Sequence, residues 1–121
     1  MLIAFFVLLT ASDARSVLYG KWEGESICTN VRPACHDEHA VYHIASSDKP
    51  GVVAMTMNKV VDGKEETMGT LEYHVDPAAT TLTSEFRGFV WTFNRTGGRM
   101  QGTLKQLPNG EVIRNIRIEK R

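Results

Sequence analysis

Gly20-Lys21-Trp22-Glu23-Gly24-Glu25-Ser26-Ile27-Cys28 is the stretch on which the fold turns. An apolar leader precedes it, and after it the chain divides into short segments of alternating polarity, separated by turn residues, up to about residue 119. Beyond residue 16 no segment carries a 3.6-residue apolar period. Period two recurs instead, the pattern of strands with one buried face. The sequence therefore predicts an all-β chain.

Working outward, the first strand is expected over about Val17 to Cys28, followed by a loop holding Asn30, Pro33 and Cys35. The second, about Glu38 to Ala45, sets Ala40, Tyr42 and Ile44 on one face and His39, Val41 and His43 on the other. Ser46 to Gly51 breaks the chain. The third strand, about Val52 to Val61, alternates Val53, Met55 and Met57 against Ala54, Thr56 and Asn58, and Asp62-Gly63 is a strong hairpin signal. In the fourth, about Glu65 to Val75, Leu71, Tyr73 and Val75 share a face. Asp76-Pro77-Ala78-Ala79 turns the chain, since Pro77 does not fit inside a central strand. The fifth, about Thr80 to Phe86, has Leu82 and Phe86 in phase, and the sixth aligns Phe89, Trp91 and Phe93. The seventh, about Met100 to Leu107, has Met100, Gly102 and Leu104 in phase; the eighth, about Glu111 to Glu119, has Val112, Ile116 and Ile118.

Eight consecutive strands joined by short turns, with no helix long enough for a crossover, predict an eight-stranded antiparallel up-and-down β-barrel. A two-sheet β-sandwich is the alternative, because alternation does not reveal closure. At 121 residues the chain is one domain by size. Fourteen basic side chains balance fourteen acidic ones, leaving no net charge to track nucleic-acid phosphates or an anionic membrane.

Leu2 to Leu9 is an unbroken apolar run followed by small residues, with Ser12 and Ala14 in the small-x-small pattern of a signal-peptidase site. We expect a signal peptide over residues 1–14, cleavage after Ala14, and a domain over residues 15–121 in a secreted or periplasmic protein. The run is shorter than the roughly 20 residues of a transmembrane helix. Export to an oxidising compartment lets Cys28 and Cys35 form a disulfide across one short loop.

Gly20-x-Trp22 at the start of the first strand, with Arg114 and Arg117 on the last, resembles the pattern of calycin-type barrels, the group of lipocalins, fatty-acid-binding proteins and avidins. The likeness extends over residues 17–119 and is strongest to small bacterial lipocalin-like proteins of unassigned role. It implies that Arg114 or Arg117 stacks on Trp22 and closes the barrel bottom. It implies no particular ligand.

The ligand-binding candidates are the aromatic and methionine positions Tyr42, Met55, Met57, Tyr73, Phe89, Trp91 and Phe93, which closure would aim at one axis. We expect a small apolar or amphipathic molecule, bound without chemical change. The alternative is a filled barrel serving as a scaffold, either a secreted-protease inhibitor projecting Arg15 to Tyr19 or an envelope interaction module. No Gly-x-Ser-x-Gly, phosphate loop or paired-carboxylate signature is present, so neither catalysis nor a cofactor is expected. His36, His39 and His43 form the one dense group of metal-type ligands. On a strand His39 and His43 stand about 13 Å apart, so no metal site is expected. Asn94-Arg95-Thr96 is a glycosylation sequon by pattern.

Overall fold

The computed structural model describes residues 14–30 and 32–121. The signal peptide expected over residues 1–14 lies outside them apart from Ala14. A 3₁₀-helix (Ala14–Leu18) leads into eight strands: β1 (Gly20–Cys28), β2 (Glu38–Ser46), β3 (Val52–Val61), β4 (Lys64–Val75), β5 (Thr81–Phe86), β6 (Phe89–Thr96), β7 (Arg99–Gln106) and β8 (Glu111–Lys120). Each pairs antiparallel with its neighbour in sequence, and β1 also pairs with β8, closing an up-and-down barrel. The barrel expected from alternation is the fold, and the sandwich is excluded.

Residues 17–19 depart from expectation. They do not extend β1: Val17 and Leu18 belong to the 3₁₀-helix, and the strand starts at Gly20. Leu18 is completely buried, and its carbonyl accepts a 2.8 Å hydrogen bond from Trp22 Nε1. Arg15 Nη1 donates to the carbonyls of Lys49 and Val52, at 3.2 and 2.9 Å. The segment imagined as a projecting arm is thus docked across the lower end of the barrel as its plug.

Closure depends on Gly24. It pairs with Ala40 of β2 and Ile118 of β8, and a Cβ there would lie 1.9 Å from the Arg117 carbonyl oxygen. Only a residue without a side chain allows β1 and β8 to approach this closely. Trp22, the side chain at the same seam, is fully buried. The cation over its ring is neither Arg114 nor Arg117. It is Lys120, register partner of Trp22, with Nζ 6.0 Å from the ring centroid and donating to the Val17 carbonyl at 2.8 Å. Register explains the difference: Arg117 pairs with Glu25 and Arg114 with Cys28, progressively farther up the seam.

The lower half of the barrel is packed. Met55, Tyr73, Leu82 and Phe93 have no exposed surface, and Met100 and Ile118 retain 1%. Phe93 stands at the centre, its ring 5.9 Å from that of Tyr73 and 6.2 Å from that of Tyr42, the latter edge-on, a favourable geometry for aromatic pairs. Gly102 opposite Phe93 accommodates the ring, since a Cβ there would meet it at 2.4 Å.

The β3–β4 register passes from Met57↔Gly69 to Asn58↔Thr67, leaving Met68 as an extra residue, and two further irregularities shape the upper half. The β7–β8 register passes from Leu104↔Arg114 to Lys105↔Val112, leaving Ile113 as an extra residue. Ile113 is therefore buried, while Val112, expected in phase with Ile116 and Ile118, is half-buried. The second is a break in the wall. β4 and β5 share two register pairs, His74↔Thr83 and Val75↔Leu82, whereas β3 and β4 remain paired to Val61↔Lys64. Above Leu71 the two strands diverge, and residues 64–70 are exposed.

Candidate ligand site in the upper barrel

Strand alternation aims one residue in two at the axis. Above the Tyr42–Phe93 contact these positions surround a cavity of about 460 Å³ instead of meeting, a volume within the ordinary range of small-molecule sites. Met57, Leu71, Trp91, Leu104 and Ile116 form its apolar wall, with Tyr42 at its floor. Met68 and Phe86 stand at the parting of β4 and β5, 45% and 47% exposed. The missing ladder pairs thus leave a lateral opening with an apolar rim.

The opposite wall is polar. Ser26 and Glu38 are register partners on β1 and β2, and Arg114 projects beside them from β8. Arg114 Nη1 donates to the Ser26 hydroxyl at 3.1 Å and more weakly to its carbonyl at 3.4 Å. Nη2 donates to the His36 carbonyl at 3.0 Å and lies 3.4 Å from Glu38 Oε2. Both side chains of the ion pair are 16% exposed, so the pair is shielded without being sealed. Burial pushes the Tyr42 phenol well above its ordinary range, and the nearby Glu38 carboxylate pushes it further, against the opposing pull of Arg114 and Ser26. Burial likewise raises the Tyr73 phenol, whose hydroxyl contacts Met57 Sδ at 3.4 Å.

A disulfide organises the rim. Cys28 and Cys35 are bonded, Cα atoms 6.0 Å apart, as the exported reading anticipated. Asp37 Oδ1 accepts the Cys28 backbone N–H at 2.8 Å, and Thr29 is held to β8 through the carbonyls of Val112 and Ile113. The bridged loop thereby presents the His36 carbonyl to Arg114. Arg32 lies over the Phe89 ring, 5.6 Å from its centroid, and bonds to Gln106.

The seven positions proposed from sequence separate into three groups. Tyr42, Met57 and Trp91 line the cavity. Met55, Tyr73 and Phe93 are packed beneath it, and Phe89 faces a recess under the disulfide loop instead. Arg114, expected to clamp Trp22, is in the cavity wall. Glu38, Ser26, Leu71, Leu104 and Ile116 were not among the candidates, although phase does carry a signal for them. Glu38 precedes Ala40 and Tyr42 at period two, and Arg114 precedes Ile116 and Ile118 in the same way. Each charge thus stands in the inward-facing phase of its strand.

The histidine group is on the outer face. His39 Nε2 lies 2.6 Å from Glu23 Oε2, and His43 Nε2 lies 2.7 Å from Glu65 Oε1, so the two imidazoles serve different carboxylates. Among the described residues, no group of three or more His, Cys, Asp or Glu side chains is arranged to hold a metal ion. No helix among them is long and apolar enough to cross a membrane.

A scan against protein-family models finds no match to this chain, and searches of curated proteins and of solved structures likewise return none.

Proposed function

We propose that this protein is an exported, lipocalin-like binding protein that carries or sequesters a small amphipathic molecule in the upper half of its barrel without changing it chemically. The observation carrying the proposal is the 460 Å³ cavity, apolar along Met57, Leu71, Trp91, Leu104 and Ile116, open sideways between β4 and β5 and polar at Ser26, Glu38 and Arg114. An apolar wall supplies affinity by removing ligand surface from water, and a few placed polar groups orient the bound molecule. Met57 and Met68 add adaptable, polarisable surface. The disulfide supports an oxidising location. The packed lower half supplies a rigid floor, so binding does not require the core to rearrange.

Gentle purification followed by native mass spectrometry, with a thermal-shift screen of lipids and metabolites, tests the proposal. A ligand present at one hundred times its dissociation constant should add about 2.7 kcal/mol of stability. Trp91, half-buried in the cavity wall, should report occupancy through its fluorescence. A protein that carries no adduct, shifts with no compound and shows unchanged Trp91 emission is not a carrier of this kind.

A further inference from the structure

The polar wall has two properties that together select a ligand head group. The first is charge balance. Arg114 and Glu38 face the cavity as a pair, Nη2 to Oε2 3.4 Å, so the cavity presents no net charge to an occupant. The second is an acceptor with room for a further partner. Among the described residues no donor meets the Glu38 carboxylate in hydrogen-bonding geometry, and Arg114, its nearest cation, directs its bonds to Ser26 and His36. The carboxylate keeps some solvent-facing surface, so a ligand group entering the cavity can take the place of water as its donor. The Tyr42 and Ser26 hydroxyls add groups that both donate and accept.

We propose that the Ser26–Glu38–Arg114 wall is a head-group site for an uncharged amphipath, a hydroxyl or primary amide on an apolar chain, and that it discriminates against both fatty carboxylates and alkylammonium ions. A hydroxyl or amide gives its proton to Glu38 and offers its oxygen to the guanidinium, leaving the ion pair in balance. A carboxylate would bring a second negative charge against Glu38 and offer it no donor. An ammonium ion would satisfy Glu38 but stand against Arg114. At about 30 Å³ per water-sized group, the cavity holds on the order of fifteen non-hydrogen atoms. Dodecanol and dodecanamide are of that size. The chain lies along Met57, Leu71 and Trp91, and its end points to the β4–β5 opening.

This assignment rests on the cavity being the binding site, and the experiment separates the two. Dodecanol, dodecanamide, dodecanoate and dodecylamine are titrated into the full disulfide-bonded protein, the neutral compounds below their solubility limits and the ionic ones below their critical micelle concentrations, with Trp91 fluorescence and calorimetry as readouts. The two neutral compounds should bind more than about tenfold more tightly than either ion, because like charges set together in a shielded site are strongly disfavoured. Glu38→Gln should strengthen dodecanoate binding by about tenfold or more, since it removes the opposing charge and leaves Arg114 available, while dodecanol changes less. Dodecanoate binding as tightly as dodecanol in the wild type, with no gain in Glu38→Gln, overturns the head-group assignment and leaves the cavity reading standing. Binding of none of the four overturns both. Should Glu38→Gln fail to fold, the ranking of the four compounds on the wild-type protein decides alone, because a neutral pair penalises both ions and an unbalanced guanidinium penalises only the amine.

Discussion

Gly24→Ala should open the barrel where the chain closes on itself, and the cost follows from the geometry. The added methyl would lie 1.9 Å from the Arg117 carbonyl oxygen and 2.8 Å from both the Arg117 carbonyl carbon and Ile118 Cα. All three are backbone atoms of β8, so no side-chain rotation relieves the contact. Reaching even 3.0 Å requires β1 and β8 to separate locally by about 1.1 Å. A ladder bond of about 2.9 Å would then exceed the roughly 3.2 Å limit of a normal N–H···O bond. Two such bonds lost at about 1 kcal/mol each, with about 1 to 3 kcal/mol of overpacking strain, give a destabilisation of about 3 to 5 kcal/mol. That is a large share of the roughly 5 to 15 kcal/mol of an ordinary domain. Urea titration of the oxidised protein, followed by tryptophan fluorescence, should show a lower midpoint with an unchanged slope. Gly69→Ala is the internal control, because nothing lies within 4 Å of its added methyl and its backbone is unstrained. It should stay within about 0.5 kcal/mol of wild type or gain slightly. A Gly24→Ala midpoint matching that of Gly69→Ala would refute the close-approach reasoning.

Trp22→Ala should cost about 3 to 5 kcal/mol as a buried aromatic truncation, and Trp22→Phe less, losing mainly the bond to the Leu18 carbonyl; wild-type melting of both would show that the plug is dispensable. Reducing and alkylating Cys28 and Cys35 should lower stability by about 2 to 3 kcal/mol on chain entropy and weaken ligand binding through the His36 carbonyl on Arg114, and unchanged affinity would detach the loop from the site. On the acid side, Glu23 is held below the ordinary carboxylate range chiefly by its bond with His39, Glu65 by His43 and then Asn58, and Asp76 by the Thr80 side chain and the Thr81 backbone. A depressed folded pKa contributes stability that is complete above the ordinary carboxylate range and is lost as pH falls through the lowered value. The urea midpoint should therefore fall with acidification, and combining Glu23→Gln, Glu65→Gln and Asp76→Asn should flatten that limb; an acid limb identical to wild type would remove these contacts from the account.

Alternation along each strand is sufficient for the all-β class and the eight strands, while closure into a barrel rests on the β1–β8 pairing. Period two alone places Tyr42, Met55, Tyr73 and Phe93 inward, and they are buried, because a strand has only two faces and one of them must leave water. Asp62-Gly63 marked the hairpin between β3 and β4 for an equally local reason, as both residues adopt positive φ. Cys28 and Cys35 were paired by proximity in sequence and compartment, and they are bonded.

What alternation left open was position along the barrel axis. Met55 and Met57 are equivalent by phase, yet one is packed in the core and the other lines the cavity. The distinction arises from closure, which sets how many side chains meet at each level. Lys120 rather than Arg114 stands over Trp22 because the β1–β8 register is a pairing between distant segments that neither strand encodes alone. The same closure places Arg114 opposite Ser26 and Glu38 and makes three unremarkable positions into one polar wall. The lateral opening follows from the β4–β5 ladder ending after two pairs, which no pattern within either strand announces. Strand, face and turn are written in the chain, since these depend on residues a few positions apart. Seam register, axial level and cavity arise on closure, because these depend on which strands meet around the barrel and where two of them part.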